Sequence, residues 1–210
     1  MIFHQIPIGP MQNFVYIVGD ESIKEAAVVD CGWEIDKIIE IAEKDTLKIT
    51  KIILTHYHYD HAQKVNELAD RTKAEIYFHE DESQFLKTAI NNEKSSKLKN
   101  NDIINVEKTK IKVIHTPGHT PGSICLLAED KLITGDTLFV SAIGRTDLPG
   151  GDAIKLFESL QKLKKLDDNI KIYPGHDYGE TKFSTIGNEK KTNPYFMCKT
   201  KVEFMRLIGH

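Results

Sequence analysis

The run Thr55-His56-Tyr57-His58-Tyr59-Asp60-His61 constrains this chain more than any other stretch. It follows directly on residues 51–55, which are apolar and β-branched and read as a strand. In an extended segment, residues two apart point to the same side, so His56 and His58 can hold one cation together. A helix is predicted to start near Asp60 and to carry Val65, Leu68 and Ala69 inward. Asp60 and His61 therefore leave the strand as the chain turns, and their side chains can diverge toward a second cation. Imidazole and carboxylate suit zinc, iron or manganese, and the lack of thiolates argues against a closed structural zinc finger.

Three further segments share this design, an apolar strand ending on a polar, metal-competent residue. Residues 111–114 lead to His115-Thr116-Pro117-Gly118-His119, residues 132–135 lead to Asp136, and residues 170–173 lead to Pro174-Gly175-His176. Loops at strand ends, backed by a rigid sheet, are the usual location of catalytic sites, and Gly and Pro fit tight turns there. His119, Asp136 and His176 are thus available as further ligands, and the two oxygens of Asp136 could bridge two cations. His4, His79, His115 and His210 lack this context and read as ordinary histidines. His115 stands nearest the cluster and could orient one of its members.

The remaining pattern alternates strands and helices. Strands are expected at 14–18, 26–29, 74–78, 123–127 and 131–133, and helices over 34–43, 80–89 and 199–207. Asp152 should cap a helix with Ala153, Leu156, Phe157, Leu160 and Leu163 on one face. Residues 91–110, rich in Asn and Lys, read as a solvated surface loop with frayed helix. Strands and helices are mixed with no linker between them, which indicates an α/β (α+β) chain with helices covering sheet faces, and one domain over 1–210.

Composition narrows the function classes. With 210 residues, 40% of them hydrophobic, the chain can build one substantial core, and a domain of this size buries roughly 70% of its unfolded surface. A net charge of −3 offers no basic bias toward nucleic acid, and the lysines of 87–112 are interrupted by Glu93, Asp102 and Glu107. No apolar run approaches the ~18 residues of a membrane span, and the N-terminus lacks the pattern of a signal peptide. Cys31, Cys125 and Cys198 are widely spaced, so no disulfide framework is expected and a cytoplasmic location is the simplest.

These residues resemble the metallo-β-lactamase superfamily, in its glyoxalase II (hydroxyacylglutathione hydrolase) branch. The family pattern Thr-His-x-His-x-Asp-His, Pro-Gly-His-Thr, Gly-Asp and Gly-His stands here at 55–61, 117–120, 135–136 and 175–176, spread over nearly the whole chain. The resemblance implies a four-layer αββα sandwich and two divalent metal ions, zinc first, with iron or manganese admissible. It implies that His56, His58 and His119 hold the first metal, that Asp60, His61 and His176 hold the second, and that Asp136 bridges them. It further implies hydrolysis of a small-molecule thioester by a hydroxide shared between the metals, with Asp60 and Asp136 as the catalytic residues. Arg145 and Tyr178 match positions on the glutathione side, although Arg145 could instead pair with Asp147. The C-terminal helical domain that holds glutathione in full-length relatives has no counterpart here, so another thiol carrier is admissible. The segments Gly144-Arg145-Thr146-Asp147 and Tyr173 to Tyr178 also resemble the persulfide dioxygenases of the superfamily, in which His56, His119 and Asp136 would hold one iron. The nucleases of the superfamily carry a large insertion for which this chain has no room.

Overall fold

The computed structural model describes residues 1–87, 89–90 and 95–209. Six strands form the first sheet in their chain order: β1 (Ile2–Ile8), β2 (Asn13–Gly19), β3 (Glu25–Val29), β4 (Lys48–Ile53), β5 (Glu75–His79) and β6 (Ser95–Leu98). β1, β2 and β3 are antiparallel neighbours, while β3 to β6 run parallel. The parallel pairs need crossovers. These are α1 (Ile35–Lys44), then α2 (Tyr59–Ala62) and α3 (Val65–Thr72), then a 3-10 turn at Glu80–Glu82 with α4 (Ser83–Leu86).

The second sheet takes β7 (Ile103–Val106), β8 (Thr109–His115), β9 (Ile124–Ala128) and β10 (Lys131–Gly135). A small hairpin of β11 (Leu138–Phe139) and β12 (Ala142–Ile143) and the helix α5 (Ala153–Leu163) follow. β13 (Lys171–Pro174) then returns parallel to β10, with β14 (Ser184–Thr185) at the edge. The chain closes with α6 (Ile186–Thr192), α7 (Pro194–Met197) and α8 (Lys201–Leu207).

Side-chain alternation explains the layers. On β2, Val15 and Ile17 join the cluster under α1 and α3, whereas Phe14, Tyr16 and Val18 join the cluster between the sheets. β3 divides in the same way, with Ala26 and Val28 on one side and Ala27 and Val29 on the other. A third cluster packs Leu132 and Ile172 of the second sheet against Leu156, Leu160 and Leu163 of α5 and against Phe196 and Phe204. The architecture is therefore the four-layer αββα sandwich. Helices as short as α7 and α8 have little stability alone. Phe196 and Phe204 are completely buried, and each contributes roughly 1.5–3 kcal/mol that anchors its helix.

Asp152 caps α5 by accepting from the amides of Ile154 and Lys155. Several other expectations are corrected. Within 91–110, residues 91–94 lie outside the described residues, and the rest is not a loop: β6, β7 and the start of β8 occupy it. Leu98, Ile104 and Val106 are buried between the sheets while their neighbours face solvent, so edge strands with one wet face look polar in sequence. β1, with His4, Gln5 and Pro7 among its residues, was also not expected. The helix expected over 80–89 is a 3-10 turn followed by one turn of α-helix, and the one expected from Asp60 breaks into α2 and α3. All three cysteines are free and buried. Among the described residues no helix is long and apolar enough to cross a membrane.

Candidate metal centre

Both sheets end their strands at one edge of the sandwich, where the candidate ligands meet. Four histidines are fixed through Nδ1. His56 Nδ1 lies 3.0 Å from Thr55 Oγ1, and His61 Nδ1 lies 3.1 Å from Asp30 Oδ2. His119 Nδ1 donates to the Arg145 carbonyl at 2.7 Å, and His176 Nδ1 donates to the Met11 carbonyl at 2.9 Å. Such contacts set ring orientation and leave Nε2 for a ligand. Nε2 of His61 and Nε2 of His176 are 3.1 Å apart, and His119 Nε2 is 2.9 Å from His58 Nδ1.

Two trios result. His56, His58 and His119 bring one ligand atom each within 4.8 Å of one another, and so do Asp60, His61 and His176. Asp136 lies between them, with Oδ1 3.4 Å from His61 Nε2 and Oδ2 3.5 Å and 3.4 Å from the Nε2 atoms of His119 and His176. All seven residues indicated by the sequence therefore converge on one centre.

The donors fit divalent metal ions. His56 Nε2, His58 Nε2 and Asp136 Oδ1 are buried without a hydrogen-bond partner, and an unsatisfied buried polar atom costs about 1–3 kcal/mol. His58 turns its other nitrogen, Nδ1, toward His119 Nε2, so the trio has donor atoms in place for a cation. Burial also pushes the His56 imidazole well below its ordinary pKa and lowers His58 to about 4, which keeps both neutral and able to ligate. Burial opposes ionisation of Asp136, but His61, His176, His56 and His119 outweigh it and hold its carboxyl well below the usual range. His61 is the counterpart: burial lowers it, while Asp136, Asp30 and Asp60 together hold it up at about 9.

Four residues of this site went unread in the sequence. Asp30 accepts from the Thr55 amide at 2.8 Å and from its hydroxyl at 2.6 Å while facing His61. Its position at the tip of β3 repeats the strand-to-ligand design and could have been found that way. Asn13 donates to Asp60 Oδ2 at 2.9 Å, and Trp33 Nε1 donates to Asn13 Oδ1 at 3.0 Å. Nothing in the sequence marks either residue.

Glu82 is the fourth. It is 1% exposed, and its Oε1 accepts from Thr120 Oγ1 at 2.7 Å and from the Gly122 amide at 2.5 Å. It also accepts from the backbone of Tyr57, so it ties the loop of His58 to the loop of His119. Burial, partly offset by these hydrogen bonds, pushes its carboxyl up to about 7. A carboxyl raised in the folded state binds its proton more tightly there than in the unfolded chain. Stability tied to that proton is full below about 4.5 and is lost as pH rises through about 7. Glu82→Gln keeps an uncharged side chain at every pH. Between pH 5 and pH 8 the wild type should lose on the order of 3 kcal/mol relative to the variant. Thermal unfolding of both proteins across that range checks this, and parallel curves would refute it.

A cavity of about 760 Å³ opens on the centre beside His58, Asp60, His119, Asp136 and His176. Tyr178 lies on its wall, stacked on His176 with ring centroids 4.6 Å apart. Arg145 reaches the same wall, but its guanidinium is held by Asp147 in two bonds of 2.6 Å. The other histidines stay apart from the centre. His115 stacks on His79 at 3.8 Å and bonds to the Pro121 carbonyl, and His4 pairs with Asp45. His210 lies outside the described residues.

A sequence model described as the metallo-beta-lactamase superfamily matches residues 8–176. "Probable polyketide biosynthesis zinc-dependent hydrolase BaeB" of Bacillus velezensis is 33% identical, over 97% of this chain and 88% of its own. "Hydroxyacylglutathione hydrolase GloC" of Haemophilus influenzae is 32% identical, over 93% of this chain and 98% of its own. The crystal structure of ETHE1 from Myxococcus xanthus superposes with a TM-score of 0.89 at 31% identity, covering 99% of this chain and 90% of that one.

Proposed function

The chain belongs to the metallo-beta-lactamase superfamily, and from that premise we propose that it hydrolyses small-molecule thioesters with two divalent cations. The observation that carries this reading is the pair of trios flanking Asp136, with unpartnered donor atoms turned inward. His56, His58 and His119 would hold one cation, Asp60, His61 and His176 the other, and Asp136 would lie between them. Zinc is the first choice, because the donors are nitrogen and oxygen and because the Bacillus velezensis relative is named zinc-dependent. When bound, the cations would supply Lewis acidity toward a carbonyl oxygen and bring the pKa of a water near ~7.

The chain's own residues supply the rest. Hydrogen bonds to Thr55, Asp30, Arg145 and Met11 keep the imidazoles from turning, so the site is organised before substrate enters. Asp60, held by Asn13 and facing the cavity, is the acceptor we assign to the proton of the attacking water. A bond forms from that water oxygen to the acyl carbon, the carbon–sulfur bond breaks, and the proton passes to the departing thiolate. Products are a free thiol and a carboxylic acid, which gives the second water proton to solvent and leaves as a carboxylate.

Metal analysis of the purified protein, run beside thiol release from S-lactoylglutathione and from neutral thioesters, tests the proposal. The expected result is about two cations per chain and release of thiol from at least one of the thioesters. One iron per chain with oxygen uptake on a persulfide would overturn it. That outcome would establish the alternative in which His56, His119 and Asp136 hold a single iron. Asp136 Oδ2, 3.5 Å from His119 Nε2, is compatible with it.

A further inference from the structure

The cavity wall differs from what glutathione requires. Away from the metal centre it is built largely from Met11, Phe139, Ala142, Ile143, Leu148 and Pro149, with the rings of Tyr57, Tyr59 and Tyr178. The polar groups on this wall already have partners in the protein. Tyr57 Oη donates to the Pro149 carbonyl at 2.7 Å, and Tyr178 Oη donates to the Met11 carbonyl at 3.3 Å. Tyr59 Oη lies 2.9 Å from Met11 Sδ. Tyr57 is further fixed by stacking on Phe85 at 4.2 Å. Among the described residues lining the cavity, Arg145 is the one lysine or arginine, and both of its bonds go to Asp147. A carboxylate entering here would meet one cation, already paired with the Asp147 carboxylate, whereas glutathione carries two carboxylates.

We propose that this cavity selects thioesters with an apolar acyl chain on a thiol carrier that bears no carboxylate near the sulfur. The proposal rests on the reading of the site as a thioester hydrolase. Removing apolar surface from water is the driving force such a wall offers. Each methylene that enters gains roughly threefold in binding or in kcat/KM. An anionic carrier must either leave its charge in solvent or displace Asp147 from Arg145. The Arg145–Asp147 pair therefore acts as a gate on carrier charge, and Asp147 is a specificity-determining residue although it does not touch the metal centre.

Two measurements test this separately from the reaction. Zinc-loaded protein is assayed on S-acyl-N-acetylcysteamine thioesters from acetyl to hexanoyl, on S-hexanoylglutathione and on S-lactoylglutathione. kcat/KM should climb roughly threefold per methylene and exceed that for S-lactoylglutathione at least about tenfold at hexanoyl. The matching thioethers, S-methyl to S-hexyl N-acetylcysteamine, cannot be hydrolysed, and calorimetry should show their Kd falling by the same ratio. Asp147→Asn releases Arg145 and should raise the turnover of S-hexanoylglutathione relative to S-hexanoyl-N-acetylcysteamine by about three- to tenfold. A flat thioether series, or S-lactoylglutathione as the better substrate, overturns the proposal. Graded thioether binding with no thioester hydrolysed at all would refute the reaction and leave the apolar selectivity standing.

Discussion

Asp136→Ala should cut thioester hydrolysis at least about a thousandfold and lower the metal content of the purified protein. The carboxylate touches both trios, through His119 on one side and through His61 and His176 on the other. No neighbouring side chain can replace it, because Asp30 is committed to Thr55 and His61, and Asp60 to Asn13. Bound metal stabilises a fold by mass action, by about 4 kcal/mol when free metal is a thousand times its Kd. The rise in Tm on adding zinc, roughly 10 °C for a chain of this size, should largely vanish in the variant. His79→Ala serves as the control. It removes a buried ring stacked on His115, outside the centre, and should cost stability with little change in thiol release. Full activity in Asp136→Ala would remove this residue from the reaction.

Gly32→Ala should destabilise the protein by about 3 kcal/mol and disrupt the second trio. A Cβ at residue 32 would come within 1.7 Å of the Asp60 carbonyl oxygen and 3.1 Å of the His61 amide nitrogen. Those are backbone atoms of the turn that carries two ligands, so no side-chain rotation can relieve the overlap. Either the loop after β3 or the turn into α2 must move. Moving the first drags Asp30, which orients His61, and moving the second drags Asp60 and His61 themselves. A fall in Tm of roughly 6–12 °C, with loss of about one cation per chain, is the expected result. A variant with wild-type Tm and metal content would show that the approach of these two segments is not required.

The metal centre was legible because its ligands come in short runs next to strands, and strand periodicity turns spacing into direction. His56 and His58 belong together for that reason alone. The pairing of distant ligands was not legible, since it depends on how the two sheets pack. Asp30 and Glu82 were missed for different reasons. Asp30 sits in a Val-Asp-Cys-Gly turn that looks like any strand end, and only Thr55 and His61 facing it give it meaning. Glu82 lies in an acidic stretch with the pattern of a solvated helix, yet Thr120 and Gly122 draw it into the interior. The strands β6 and β7 were obscured by wet faces that carry Lys, Asn and Ser. In each case contacts between segments distant along the chain decided the outcome.

Each trio takes two ligands from the turn after β4 and one from the second sheet: His119 after β8 in the first trio, His176 after β13 in the second. During synthesis the last of these emerges only when most of the chain has been made. A nascent first half presents His56, His58, Asp60 and His61 without their partners, and no position is complete. On the two-cation proposal, a complete set of ligands exists only after the two sheets have docked. Metal is thus a late guest of an assembled sandwich, unlike the ion that nucleates a zinc finger. Three apolar clusters hold that sandwich together without it, so chelation should yield a folded protein that can be recharged with a different metal.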